Sequence, residues 1–194
     1  MKIRFMSDLH LEFDAHSDDF HHALRGTDNY DADVLVLAGD ITIKNRVRWI
    51  DLISLRYKHV VYVFGNHEYY HSNLDSVERK TRAGFDNMFD NIHILQNESV
   101  ELEGVMFHGT TLWTDFNYGD PLTYMDANSS MNDFRLIRAD DGKSRFNAER
   151  AHKKHNIARG WLMDVVNKEM LLLHIMHQHL VLFLTSTRSE EHTS

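Results

Sequence analysis

Val34-Leu35-Val36-Leu37-Ala38-Gly39-Asp40 is the stretch that decides the fold. An unbroken apolar run that stops at a glycine and an acid has no polar face. It reads as a strand buried on both sides, as in the parallel sheets of α/β proteins. The same grammar recurs on either side of it. Residues 3–6 lead into Ser7-Asp8-Leu9-His10, and residues 60–64 lead into Gly65-Asn66-His67-Glu68. Beyond each of the later runs the apolar period changes. Val47, Ile50, Ile53 and Tyr57 recur at helical spacing, as do Tyr70, Leu74, Val77, Phe85 and Met88, so each set forms a stripe on one helix face. Strands alternating with helices imply a layered α/β domain.

Further along, residues 100–102 and 105–108 around Gly104 read as a hairpin. A long loop holding the only proline, Pro121, is expected from Thr114 to about Asp141. Ala151, Ala158, Leu162 and Val165 mark a helix from about Phe146 to Asn167.

The chain has 194 residues, one domain's worth, and its 42% hydrophobic content is enough to bury a core. That excludes a disordered tail or fibrous repeat. With 21 basic against 29 acidic residues the net charge is −8, which argues against a broad surface for nucleic acid or anionic lipid. There is no cysteine. Disulfide frameworks, thiolate zinc sites and cysteine nucleophiles are therefore excluded, and any metal must sit on nitrogen and oxygen. Residues 1–7 lack the features of a signal peptide, and the longest apolar stretch, 171–184, is broken by His174, His177, Gln178 and His179. A cytoplasmic protein without membrane contact is expected.

The chemistry stands at the three strand ends. In an open α/β sheet ligands bind outside the carboxyl ends of the strands, so these loops should converge. Asp8 and His10 are two apart, and in extended backbone such residues point to one side and can grip one ion. Gly39 and Gly65 let the chain turn sharply beside ligand positions. Singly, each piece is ordinary. Asp-x-His pairs arise by chance, Gly-Asp is a turn signal, and one His among 15 is usually a surface or core residue. Three such loops in order, each directly after a strand, make a metal site.

Together Asp8-Leu9-His10, Gly39-Asp40 and Gly65-Asn66-His67-Glu68 resemble the signature of the calcineurin-like metallophosphoesterases. The match extends into Gly109-Thr110-Thr111-Leu112-Trp113-Thr114-Asp115 and Met131-Asn132-Asp133-Phe134-Arg135-Leu136-Ile137, which look like a bacterial, uncharacterised branch of that family. The resemblance implies an α/β, metallo-dependent phosphatase-like two-sheet sandwich flanked by helices, incomplete at the C-terminus. It implies hydrolysis of a small phosphomonoester or phosphodiester by a water activated between two metal ions. By the same resemblance Asp8 and His10 bind the first ion, Asp40 bridges both, Asn66 binds the second, and His67 is the catalytic acid at the leaving oxygen. Two cations about 3.5–4 Å apart lower the pKa of a shared water and neutralise charge in an in-line displacement. An oxygen and nitrogen ligand set suits Mn, Fe or Zn without choosing among them. Bound cations also make an acidic protein locally attractive to an anionic substrate.

Other residues have plainer readings. Glu68 is expected to support its loop by hydrogen bonds rather than to bind metal. His21 and His22 read as exposed, and Trp49, Trp113 and Trp161 as core or cleft wall. Asn132, Asp133 and Arg135 are equally readable as phosphate contacts or as structure.

A complete member of the family continues with Thr-His-His-Ala-Pro and later Gly-His-x-His, both carrying ligands, and neither is present here. The run from Met170 to His179 instead reads as a one-base frameshift. Joining the last base of each codon to the first two of the next turns Met176-His177 into Ala and permits Val-Val-Val-Thr-His-His-Ala-Pro overall. The tail Arg188-Ser189-Glu190-Glu191-His192-Thr193-Ser194 resembles a translated sequencing adapter. The expected organisation is thus a metallophosphoesterase domain over 1–169, a frameshifted segment over 170–187 and an adapter-derived tail over 188–194. His174, His177 and His179 then carry no function, since a His-x-x-His pair alone lacks further ligands. The second ion keeps only Asp40 and Asn66 and should bind weakly, which leaves the activity of the chain as written open. Two rivals stand beside this reading: a nuclease of the same superfamily, disfavoured by the negative charge, and a non-catalytic metal-binding scaffold.

Overall fold

The three apolar runs become neighbouring parallel strands, β1 (Ile3–Met6), β2 (Val34–Ala38) and β3 (His59–Val63). β2 lies between the others, in register from Ile3↔Val34 to Met6↔Leu37 on one side and from Val34↔His59 to Ala38↔Val63 on the other. A fourth parallel strand, β4 (Ile92–Ile94), extends the sheet beyond β3. At three residues it is too short for periodicity to announce. These descriptions come from a computed structural model that describes residues 1–13, 31–43, 50, 53–166 and 180–186, with backbone alone for 86, 166 and 180–186. His21, His22, Val47, Trp49, His174, His177, His179 and the tail 188–194 lie outside the described residues.

The second sheet is antiparallel, in the order β5 (Glu98–Leu102), β6 (Val105–Thr111), β7 (Leu180–Ser186). The expected hairpin is β5–β6. It turns at Glu103 (φ 52°) and Gly104 (φ 75°), two successive left-handed residues of the kind that match strand twist. β7 lies in the segment read as frameshifted and pairs with β6 from Val105↔Ser186 to Thr111↔Leu180. An apolar run will join an open strand edge whatever its origin, so this pairing does not bear on the reading frame.

Side chains of β2 and β3 alternate between two cores. Leu35, Leu37, Val60 and Tyr62 pack with Leu74, Val77 and Phe85 of α1 (Leu74–Asp86). Val34, Val36, Val61 and Val63 pack with Leu102 and Phe107 of the second sheet. Every residue of β2 is buried, as a strand between two layers must be. At roughly 1.5–3 kcal/mol per fully buried aliphatic side chain, the strands firmly anchor the loops at their ends. The result is a two-sheet sandwich with helices on the outer face of the parallel sheet.

Residues 114–141 differ from expectation. In place of a loop they hold a turn at 116–119 and two helices, α2 (Pro121–Ser130) and α3 (Asp133–Leu136). Pro121, read as a loop signal, is the first helical residue, and Asp120 caps the helix by accepting from the Thr123 N–H (2.9 Å). α2 escaped notice because it has no stripe, with Ala127 buried but Leu122 and Met125 exposed. α4 (Ala148–Val166) fulfils the last expected helix and buries Ala151, Ala158 and Leu162. Among the described residues no helix is long and apolar enough to cross a membrane.

Candidate metal centre

The loops after β1 and β2 are stitched by backbone hydrogen bonds from Asp8 N to Gly39 O (3.1 Å), His10 N to Asp40 O (3.1 Å) and Leu11 N to Ile41 O (3.0 Å), and the loop after β3 joins them where His67 N donates to Asp40 Oδ1 (2.9 Å). Asp8 and His10 are not extended, which corrects the sequence argument for their convergence. Asp8 (φ 54°), His10 (φ 45°) and Asp40 (φ 54°) all take left-handed backbone. Each such residue costs on the order of 1–3 kcal/mol, and strain of this kind persists where surrounding structure over-determines it. The two glycines are required. A Cβ on Gly39 would lie 2.9 Å from the Gly65 backbone, and one on Gly65 would lie 2.1 Å from Asp40 Oδ1.

Asp8, His10 and Asp40 each offer a ligand atom, and the three atoms lie within 4.8 Å of one another. Two carboxylates and an imidazole so close are a donor set that fits a divalent cation. Burial raises the Asp40 carboxyl above its ordinary range and the Asp8 charge adds to that, while the His67 backbone N–H (2.9 Å) and the His67 and His10 rings oppose it. A bound cation relieves such repulsion. Asn66 is buried, and its amide nitrogen donates to Asp133 Oδ1 (2.7 Å). That leaves the amide oxygen as the atom turned away from Asp133.

His67 opens a short 3₁₀ turn, His67–Tyr69, and its ring stacks on Tyr70 at 4.3 Å, with the His10 ring edge-on at 4.3 Å. Burial, with the Asp133 and Asp40 charges, pushes the Tyr70 hydroxyl up to about 12.

Glu12 is the residue the sequence reading missed. Its Oε1 lies 3.2 Å from His10 Nδ1 and 3.1 Å from His67 Nδ1, so a single oxygen accepts from both rings. His10, Glu12 and His67 form a second group able to hold an ion. The other oxygen, Oε2, is buried and has no hydrogen-bond partner among the described residues. Burial works to raise this carboxyl, but its own backbone N–H and the His67 and His10 imidazoles together hold it below the ordinary value. The alternation Asp8, His10, Glu12 was the available signal.

Glu68 supports the loops as expected. Its Oε1 accepts from Ile41 N (2.7 Å) and Tyr62 OH (3.0 Å), and its Oε2 from Gly65 N (2.8 Å) and Asp40 N (3.1 Å). Burial, then the Asp40 charge, pushes it up to about 7 against these hydrogen bonds. Of the Asn132, Asp133 and Arg135 set, Asp133 is buried against Asn66 while Asn132 and Arg135 are exposed. Trp113 is a core residue, packed on Tyr69 and Phe146.

Three comparisons bear on this arrangement. An uncharacterised protein of Acanthamoeba polyphaga mimivirus is 29% identical over 197 residues, spanning 93% of this chain and 68% of the viral one. The crystal structure of a phosphopantetheinyl hydrolase from Mycobacterium tuberculosis superposes with a TM-score of 0.56 at 17% identity. It covers 84% of this chain, which in turn spans only 63% of that protein, and at such identity the likeness is one of fold alone. The family model of the calcineurin-like phosphoesterases matches residues 1–178, a stretch that takes in all three ligand-bearing loops and both sheets up to β6. On that match, the chain belongs to the calcineurin-like phosphoesterase family.

Proposed function

We infer that the protein hydrolyses a small phosphoester with Asp8, His10 and Asp40 holding a first cation, Asp40 and Asn66 contributing to a second, and His67 serving the leaving group. The observation that carries this reading is the approach of two carboxylates and an imidazole within 4.8 Å, with His67 against the same imidazole. A cation bound there supplies charge for a phosphoryl oxygen and acidity for a bound water. The remaining work falls to the protein. Glu12 Oε1 accepts from Nδ1 of His67 and so fixes the proton on that nitrogen, leaving Nε2 to reach a substrate. From Nε2 the protonated ring can pass a proton to the leaving oxygen as the P–O bond breaks. The same oxygen holds Nδ1 of His10 and leaves its Nε2 free for an ion. Tyr70 stacks beneath His67 and limits its rotation.

The test is manganese-dependent hydrolysis of para-nitrophenyl phosphate and bis-para-nitrophenyl phosphate by the full chain, with manganese affinity measured in parallel. Asp40→Asn is expected to lose manganese binding and activity together. On an alkyl phosphate, whose leaving oxygen needs a proton, His67→Ala is expected to lose 10²–10⁴-fold in rate, roughly the worth of a general acid, while keeping most of its metal affinity. Full activity in His67→Ala removes the acid assignment. Metal binding without hydrolysis of either ester favours the scaffold reading.

A further inference from the structure

Residues 135–145 gather cations for which the proposed chemistry has no use. A cavity of about 280 Å³ is lined by His71, Arg135, Arg138, Lys143, Ser144 and Arg145. Backbone hydrogen bonds from Ala139 N to Ser144 O (2.9 Å) and from Phe146 N to Ile137 O (3.1 Å) clamp the chain there, so that Arg138 and Arg145 stand directly opposite each other. This is the non-hydrogen-bonded position of an antiparallel pair, where Cα atoms are about 4.5 Å apart and side chains are closest. Like charges so placed are destabilising.

The repulsion is not neutralised from within. The chain has 29 acidic residues to 21 basic ones, yet among the described residues no carboxylate pairs with Arg138, Lys143 or Arg145. The nearest acids in sequence are engaged elsewhere. Asp141 accepts from Lys143 N and Ser144 N (both 2.8 Å) and lies 3.8 Å from Arg150, and Asp140 lies 3.8 Å from Lys154. Scattered solvated cations are common on surfaces. That ordinary reading does not account for a backbone bridge holding two arginines face to face over a hollow in an acidic protein.

We propose that this cavity is an oxyanion site that binds a phosphate group. Guanidinium forks match phosphate oxygens bidentately, and an anion between Arg138 and Arg145 turns their repulsion into attraction. The volume falls just short of the ~300 Å³ at which pockets for whole drug-sized ligands begin, so it suits one phosphate or one end of a larger molecule.

α3 separates this cavity from the metal loops. Asp133 at its start bonds Asn66 (2.7 Å), Arg135 lines the cavity, and His71 N bonds Leu136 O (3.0 Å) one residue beyond Tyr70. The bound phosphate is therefore either a second anionic group of the substrate or a free anion. The oxyanion site stands on its own; its use by the substrate rests on the function proposed above.

The experiment is a titration of inorganic phosphate into the EDTA-treated full chain, followed by the amide NMR shifts of residues 138–145. Saturable shifts are expected, with affinity about tenfold weaker in Arg138→Gln and in Arg145→Gln, the worth of a charge-assisted hydrogen bond. Lys153→Gln removes an exposed cation lining a different cavity and should change nothing. Equal affinity in all four proteins overturns the site. Thermal unfolding gives an independent reading. Without phosphate Arg145→Gln should melt no lower than the parent, and phosphate should raise the parent's Tm more than the variant's; equal shifts count against the site. With manganese restored, hexanediol bisphosphate and hexyl phosphate separate the sources. A substrate group in the cavity makes the bisphosphate the tighter ligand in the parent but not in Arg145→Gln, whereas a free-anion site binds the two alike. Failure of metal-dependent hydrolysis leaves the metal-free titration unaffected.

Discussion

Glu68 is buried and Glu12 half-buried in the loops that meet at the site, and they differ in the charges they face. Glu68 faces the Asp40 charge and is pushed to about 7, from an ordinary value near 4.5. A raised carboxyl holds its proton more tightly in the folded chain than in the unfolded one. Its contribution is therefore complete below about 4.5 and is lost as pH rises through about 7. For the metal-free protein that is about 3 kcal/mol, at 1.36 kcal/mol per pKa unit. Urea unfolding between about pH 5 and pH 8 should show stability falling with pH, with that slope absent in Glu68→Gln. A parent that gains stability over this range contradicts the assignment. Glu12 faces two imidazoles instead and stays ionised. Glu12→Gln keeps the shape and loses the charge, so hydrolysis of an alkyl phosphate should slow by about 10–100-fold, as when an orienting partner is removed. Para-nitrophenyl phosphate, whose leaving group needs no proton, should be much less affected. Equal losses on both esters would mean that Glu12 acts through the fold and not through His67. The meeting of the loops that carry Asp8, His10, Asp40, Asn66 and His67 was legible because each loop follows a strand end. Glu12 carried only the weak signal of standing two residues past His10, since its partner His67 is 55 residues away and only the folded chain brings them together.

Among the elements, the buried strands announced themselves, because five apolar residues in a row ending at a glycine read as a strand covered on both faces. The segment after β6 did not. Its turn sets Phe116 (φ 49°), Asn117 (φ 53°) and Tyr118 (φ 59°) in left-handed backbone before Gly119 (φ 80°), an arrangement that no propensity foretells. Gly119 is needed, since a Cβ there would lie 2.7 Å from His152. Tyr118 is 91% exposed and makes no core contact that would justify its conformation. Tyr118→Gly should therefore stabilise the protein by about 1 kcal/mol, the left-handed penalty less the extra entropy of glycine. A higher urea midpoint with an unchanged slope is the expected result, and a lower midpoint would show that the ring has contacts that matter.

For the whole molecule, the layered architecture was readable from the alternation of strand and helix, and the second sheet from the Gly104 hairpin, whereas β4 and α2 were too short or too evenly mixed to register. Two cores share β2 and β3, so the sheet that carries the ligand loops is fixed from both faces. Chelation should then loosen the protein without dismantling it. A cation at a hundred times its Kd adds about 2.7 kcal/mol, so EDTA should lower the Tm by the corresponding few degrees. Asp40→Asn should melt at the same temperature with and without manganese. Collapse of the fold on chelation would show that the ion, and not the sandwich, organises these loops. The clasp of Glu68 on Ile41, Gly65 and Asp40 is built wholly from the chain's own carboxylate and amide groups. Loops held in this way should admit one transition element in place of another without rearranging the chain, so that manganese, iron and zinc are each expected to load with an unchanged circular dichroism spectrum.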